Sequence, residues 1–108
     1  MDAVKMRINK YRNVKTEIDG HVFDSKAECK RYNELKMLQN AGEIKGFALQ
    51  PSFLLDKGIR YRPDFMVCGA DGVLWVEDVK GMETKEFKIK RQLWDNKFPW
   101  LELRIIKC

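Results

Sequence analysis

Order in the pattern of apolar and polar positions first shows at residues 14–23, VKTEIDGHVF, where two β-prone segments flank Asp19-Gly20. That dipeptide tolerates two consecutive positive-φ positions, so the pattern predicts a hairpin closed by a two-residue turn. A helical stretch follows. Ser25 and Glu28 form an S-x-x-E capping box, Ala27, Tyr32, Leu35 and Leu38 make much of an apolar stripe, and Gly42 follows the last periodic residue. These signals predict a helix from Ser25 up to Gly42. Three strands come next: Phe47–Leu55, where Pro51 implies an edge or a bulge, then Arg60–Cys68, then Val73–Lys80. Gly69-Ala70-Asp71-Gly72 separates the last two, which predicts a hairpin.

Thr84 caps a second predicted helix that runs to Lys97 and is ended by Pro99, and Leu101–Lys107 reads as the final strand. Phe87, Trp94, Phe98 and Trp100 read as core rather than as platforms for stacked bases. The order of hairpin, helix, three strands, helix, strand predicts an α/β fold, a mixed β-sheet flanked by two helices with an N-terminal hairpin. One domain over 13–108 is expected, preceded by a flexible basic arm over 1–12.

Composition narrows the setting. No apolar run approaches the ~20 residues that span a bilayer, and the N-terminus lacks the apolar core of a secretory leader. The three cysteines, Cys29, Cys68 and Cys108, are widely separated and form no CxxC pair, so neither a disulfide framework nor a zinc site is expected. A reducing cytoplasm is the expected location. His21 is the single histidine and reads as a surface hairpin residue, which excludes chemistry that needs paired histidines. The net charge of +5 and a pI near 9.2 favour a polyanionic partner, because neutralised phosphates release counterions.

Candidate chemistry lies in Arg62-Pro63-Asp64-Phe65 and Glu77-Asp78-Val79-Lys80-Gly81. Side chains alternate along a strand, so Asp78 and Lys80 share a face with Leu74 and Val76, and Trp75, Glu77 and Val79 take the other. A three-residue loop, Ala70-Asp71-Gly72 with Gly72 left-handed, would set Asp64 opposite Asp78. A four-residue loop would set Asp64 opposite Glu77 instead. Facing carboxylates repel unless a cation lies between them, and hard oxygen ligands suit Mg²⁺, with Mn²⁺ as a substitute. Lys80 would project beside them, toward an attacking water or the scissile phosphate.

Other residues carry two readings each. Glu28 is a capping-box acid or, at the edge of the stripe facing the sheet, an acid that needs a partner or a metal. Gln50 is a satisfied core amide or a hydrogen-bond partner for a phosphate or a bound water. Glu77 is a partner for surface cations, or the substitute ligand in the shifted register. Lys85, Lys88, Lys90, Arg91 and Gln92 on the second helix, and Arg60 and Arg62 beside the acid strand, are a solvated basic face or a grip on DNA phosphates.

Pro63-Asp64, thirteen intervening residues and Asp78-Val79-Lys80 resemble the PD-(D/E)XK nuclease signature. The wider ordered set, FDSKAECKRYNELKML, Gln50-Pro51, YRPDF, VEDVKG and FKIKRQLW, resembles small phage-associated proteins of that superfamily, related to RecU-type Holliday-junction resolvases. The resemblance covers residues 13–107 and implies a restriction-endonuclease-like fold and Mg²⁺-dependent phosphodiester hydrolysis. It implies that Asp64, Asp78 and Glu28 hold the metal and that Lys80 is the catalytic lysine. Val79 is expected to join the metal site and Gln50 the catalytic group. The expected function is an endodeoxyribonuclease, encoded by phage or prophage, acting in recombination or replication on branched DNA as a homodimer. A non-catalytic nucleic-acid-binding module that keeps the fold is the alternative.

Overall fold

A computed structural model gives the fold, and it describes residues 5–8 and 14–108. The elements in order are β1 (Lys5–Ile8), β2 (Val14–Ile18), β3 (His21–Phe23), α1 (Lys26–Asn40), β4 (Ile44–Leu49), β5 (Phe53–Asp56), β6 (Ile59–Tyr61), β7 (Phe65–Gly69), β8 (Leu74–Lys80), α2 (Lys85–Lys97) and β9 (Glu102–Lys107). The central sheet has the order β4-β7-β8-β9 and is mixed, because β8 and β9 run parallel while the other pairs are antiparallel. The α/β class, the mixed sheet, the two helices and the N-terminal hairpin therefore hold. Lys5–Ile8, inside the stretch expected to be a basic arm, pairs with β2, and the rest of that arm lies outside the described residues.

Local chemistry explains the turns. Asp19 and Gly20 both take positive φ, 54° and 78°, and close β2 on β3 as the dipeptide dictates. Gly72 has φ of 86°, a backbone shape that side chains resist, and the register Cys68↔Leu74 leaves the three-residue loop Ala70-Asp71-Gly72 at the tip. That settles the register question in favour of the shorter loop. Both helices start on the expected caps: Ser25 accepts the Glu28 N–H at 3.1 Å and Thr84 accepts the Phe87 N–H at 3.1 Å.

Two of the expected strands are each broken in two. Phe47–Leu55 divides at Gln50-Pro51-Ser52, where Gln50 turns to φ 47°, giving β4 and β5. Arg60–Cys68 divides at Arg62-Pro63-Asp64, giving β6 and β7. Proline has no N–H to add to a ladder, so both Pro51 and Pro63 end pairing where they stand. The short hairpin β5–β6 then packs toward α2 instead of extending the sheet.

The sheet separates two cores. Toward α1 lie Cys29, Tyr32, Leu35, Phe65 and Val67, with Trp75 and Val79 packed against them. Toward α2 lie Leu55, Tyr61, Val76, Phe87, Trp94 and Leu103. Thus β8 sends alternate residues into opposite cores, as its pattern predicts. Trp94 is fully buried with its indole N–H on the Leu101 carbonyl at 2.9 Å. Trp100 departs from expectation: it is 74% exposed, and Leu101 fills the core position in its place.

Candidate active site

Asp64 stands where three strands are tied together. Its carbonyl accepts the Gln50 N–H at 2.8 Å, beyond the end of β4, and its own N–H donates to the Glu77 carbonyl at 3.0 Å. The β7–β8 ladder therefore stops at Phe65↔Glu77, one residue short of a formal Asp64–Asp78 pair. The side chains meet nonetheless. The Asp64 carboxylate accepts the Val79 N–H at 2.7 Å and lies within hydrogen-bond reach of Asp78. Both aspartates are thus on the α2 side at the end of the central strands.

Asp78 is only 4% exposed. Its Oδ2 receives the Tyr61 hydroxyl in a short hydrogen bond and lies 3.4 Å from the Lys80 ammonium. Lys80 in turn sits 4.6 Å from the centroid of the Phe87 ring, which holds the ammonium by cation–π attraction. Glu28, on the first turn of α1, looks into the same cleft. The cleft measures about 450 Å³ and brings together Glu28, Asp64, Asp78, Val79 and Lys80, with Arg60, Arg62 and Lys90 at its wall.

Electrostatics mark the spot. Burial pushes the Glu28 carboxyl up to about 7, the Asp24 and Asp78 charges add to this, and a hydrogen bond from the Asp24 backbone and the Lys80 charge oppose it. Asp64 is also raised, first by burial and then by its contact with Asp78 and the Glu28 charge. Tyr61 is driven upward by burial and by Asp78, which keeps its hydroxyl a donor. Burial and like charge thus raise both carboxyls within one cleft.

The donor set fits a hard divalent cation: carboxylate oxygens gather with neither imidazole nor thiolate near. Among the described residues, no three acidic, histidine or cysteine side chains are drawn up around one point; Asp64 and Asp78 form the close pair, and Glu28 responds to their charge from the cleft wall. Val79 meets the site through its backbone, while its side chain packs toward α1.

The remaining sequence candidates are dispersed. Gln50 accepts from Arg62 at 2.8 Å and lines the adjoining hollow with Lys15, Asp24 and Asp64 rather than the acid cleft itself. Lys90 reaches the cleft but also pairs with Glu86 at 3.4 Å. Arg91 pairs with Asp95 at 3.9 Å and is near enough to Tyr61 to act on it by charge. Lys85, Lys88 and Gln92 are exposed on α2 and do not line the cleft. His21 is exposed on the hairpin, as expected.

Glu77 differs most from expectation. It is fully buried on the α1 side, where Arg31 grips both its oxygens at 2.7 and 2.8 Å and the Trp75 indole donates at 2.9 Å. It is therefore neither a surface partner nor a substitute ligand. Sequence reasoning also passed over Tyr61 and Ser52, which line the cleft; the signal for Tyr61 is its place three residues before Asp64.

The Glu28 shift has a measurable consequence. The folded protein holds this proton more tightly than the unfolded chain, whose ordinary value is 4.5. The stability it contributes is complete below 4.5 and is lost as the pH rises through 7. In EDTA, Glu28→Gln is therefore expected to melt close to the parent at pH 4.5 and above it at pH 7.5, with the gap opening between. Thermal melts across that range check this, and a constant gap would contradict it.

Among the described residues no helix is long and apolar enough to cross a membrane. Residues 8–108 match a family described as protein of unknown function, DUF1064. No curated protein matches the chain.

Proposed function

The chain belongs to the DUF1064 family, and on the geometry of its cleft we propose that it is a metal-dependent endonuclease that hydrolyses phosphodiester bonds in DNA. The observation that carries this is the meeting of Asp64 and Asp78 at the strand ends with the Lys80 ammonium 3.4 Å from Asp78 Oδ2. A buried carboxylate, Asp78, beside a half-buried one, Asp64, with a third at the cleft wall, is a poor arrangement for stability alone. Their resemblance to the PD-(D/E)XK signature supports the same reading.

Glu28, Asp64 and Asp78 would hold Mg²⁺ or Mn²⁺. Such an ion would supply positive charge against the phosphate and would make water a better nucleophile near neutral pH. Val79 fixes the Asp64 carboxylate through its N–H. Lys80, seated on Phe87 and tethered to Asp78, can orient the attacking water or neutralise charge that grows on the phosphate. Arg60, Arg62 and Lys90, which line the cleft, would contact phosphates near the cut. Water oxygen bonds to phosphorus as the 3′-oxygen leaves, giving 5′-phosphate and 3′-hydroxyl ends. We place branched DNA first as substrate, in phage recombination or replication inside a bacterial host. Symmetric cutting of a four-way junction requires two sites, hence a homodimer.

The test incubates pure protein with junction, duplex and single-stranded DNA, first with Mg²⁺ and then with EDTA. Cutting is expected only with Mg²⁺. Lys80→Met is expected to slow it about 100-fold, the scale for losing one preorganised electrostatic contact, with DNA affinity little changed. Salt-sensitive binding without any cutting would instead identify a non-catalytic nucleic-acid module and overturn the nuclease reading.

A further inference from the structure

Two donors converge on one oxygen of Asp78, and they differ in kind. The Lys80 ammonium reaches Oδ2 at 3.4 Å on a flexible four-carbon stem. The Tyr61 hydroxyl reaches the same atom from a ring that is 5% exposed and wedged edge-on against Trp94, with centroids 5.9 Å apart, and against Phe87 at 6.1 Å. A tyrosine has two side-chain torsions, and here packing fixes both. Of the two donors, the Tyr61 hydroxyl is the one carried on a fully packed ring.

We infer that Tyr61 is a positioning residue for Asp78: its hydroxyl holds Oδ2 against the α2 core and thereby presents the carboxylate to a cation in the cleft. This inference rests on the metal-dependent reading of the same site. Its physical content is that a carboxylate free to rotate binds an ion less tightly than one already oriented, as seen for partners that orient metal ligands elsewhere. The core of α2 is then part of the metal site: Phe87 seats both the Tyr61 ring and the Lys80 ammonium.

The experiment measures Mn²⁺ binding to the intact protein by titration calorimetry, with melting in EDTA recorded for every variant. Tyr61→Phe, which deletes one oxygen, is expected to weaken Mn²⁺ affinity about 10- to 100-fold. Lys80→Met removes a positive charge from the same oxygen and is expected to tighten Mn²⁺ binding, so the two donors move the readout in opposite directions. Leu103→Ala loosens the same core at a residue that does not line the cleft, retains the hydroxyl and is the structural control. If Tyr61→Phe binds Mn²⁺ as tightly as the parent, positioning is overturned and the nuclease reading stands. If the Tyr61→Phe loss merely tracks melting temperature, to the same degree as in Leu103→Ala, the effect belongs to the core and positioning is again overturned. If the parent takes up no Mn²⁺, the metal-dependent reading itself fails and the inference goes with it.

Discussion

Asp78→Asn is expected to reduce Mg²⁺-dependent cleavage by about a thousandfold or more, while the protein melts in EDTA no lower than the parent. The expected drop in rate follows from a metal contribution of several kcal/mol, with each factor of ten near 1.4 kcal/mol. The stability expectation follows from the surroundings. Asparagine has nearly the same shape and keeps an oxygen for the Tyr61 hydroxyl. What is removed is a buried negative charge that faces Asp64 and acts on Glu28. The substitution also breaks the ion pair with Lys80 at 3.4 Å, but that lysine is partly exposed and the pair is worth little. Cleavage and thermal melts on one preparation decide the matter. Retained cutting would remove Asp78 from the chemistry, and a collapse in melting temperature would make it a structural residue. A variant that is inactive yet as stable or more so is the signature of a site kept at a cost to the fold.

What the sequence made legible follows from how local each determinant is. The turn at Asp19-Gly20 and the Ser25 and Thr84 caps depend on residues within four positions of one another, and all are found as expected. Strand alternation then placed Asp78 and Lys80 on one face and Trp75, Glu77 and Val79 on the other, which the two cores reproduce. Period-two geometry fixes Asp78 and Lys80 on one face, whereas the facing of Asp64 and Asp78 hangs on a loop of three or four residues that the structure shows to be three.

The misreadings depend on contacts distant in sequence. Nothing near Gln50 announces its positive φ, which is held by the Asp64 carbonyl fourteen residues on and by Arg62. Alternation put Glu77 opposite Asp78 but could not say what covered it; its partner, Arg31, is 46 residues away on α1. Tyr61 is marked in sequence only by its place three residues before Asp64, and its role shows when its hydroxyl is seen on Asp78. Pro51 implies an edge or a bulge, and β4 is an edge strand of the central sheet, but Pro51 and Pro63 also each divide a predicted strand and release the β5–β6 hairpin toward α2.

Arg31→Met is expected to cost about 3–5 kcal/mol, the scale for removing one partner of a buried ion pair. Glu77 is 0% exposed, and its two bonds to Arg31 leave it no route to water. The Trp75 indole alone would remain on it. Against a total stability of ~5–15 kcal/mol for a domain, such a loss brings the chain close to unfolding. Urea unfolding measures it as a lowered midpoint with an unchanged slope. The companion variant Arg31→Met/Glu77→Gln removes the stranded charge, keeps an acceptor for Trp75, and is expected to recover most of the loss. If the double variant is no more stable than the single one, the penalty lies in the missing arginine packing rather than in the stranded charge. The consequence reaches the cleft, because this pair joins the middle of α1 to β8 directly behind Asp78, and α1 carries Glu28. Arg31→Met protein that remains folded at low temperature is therefore expected to bind Mn²⁺ more weakly, with the double variant closer to the parent, although neither substitution touches the cleft.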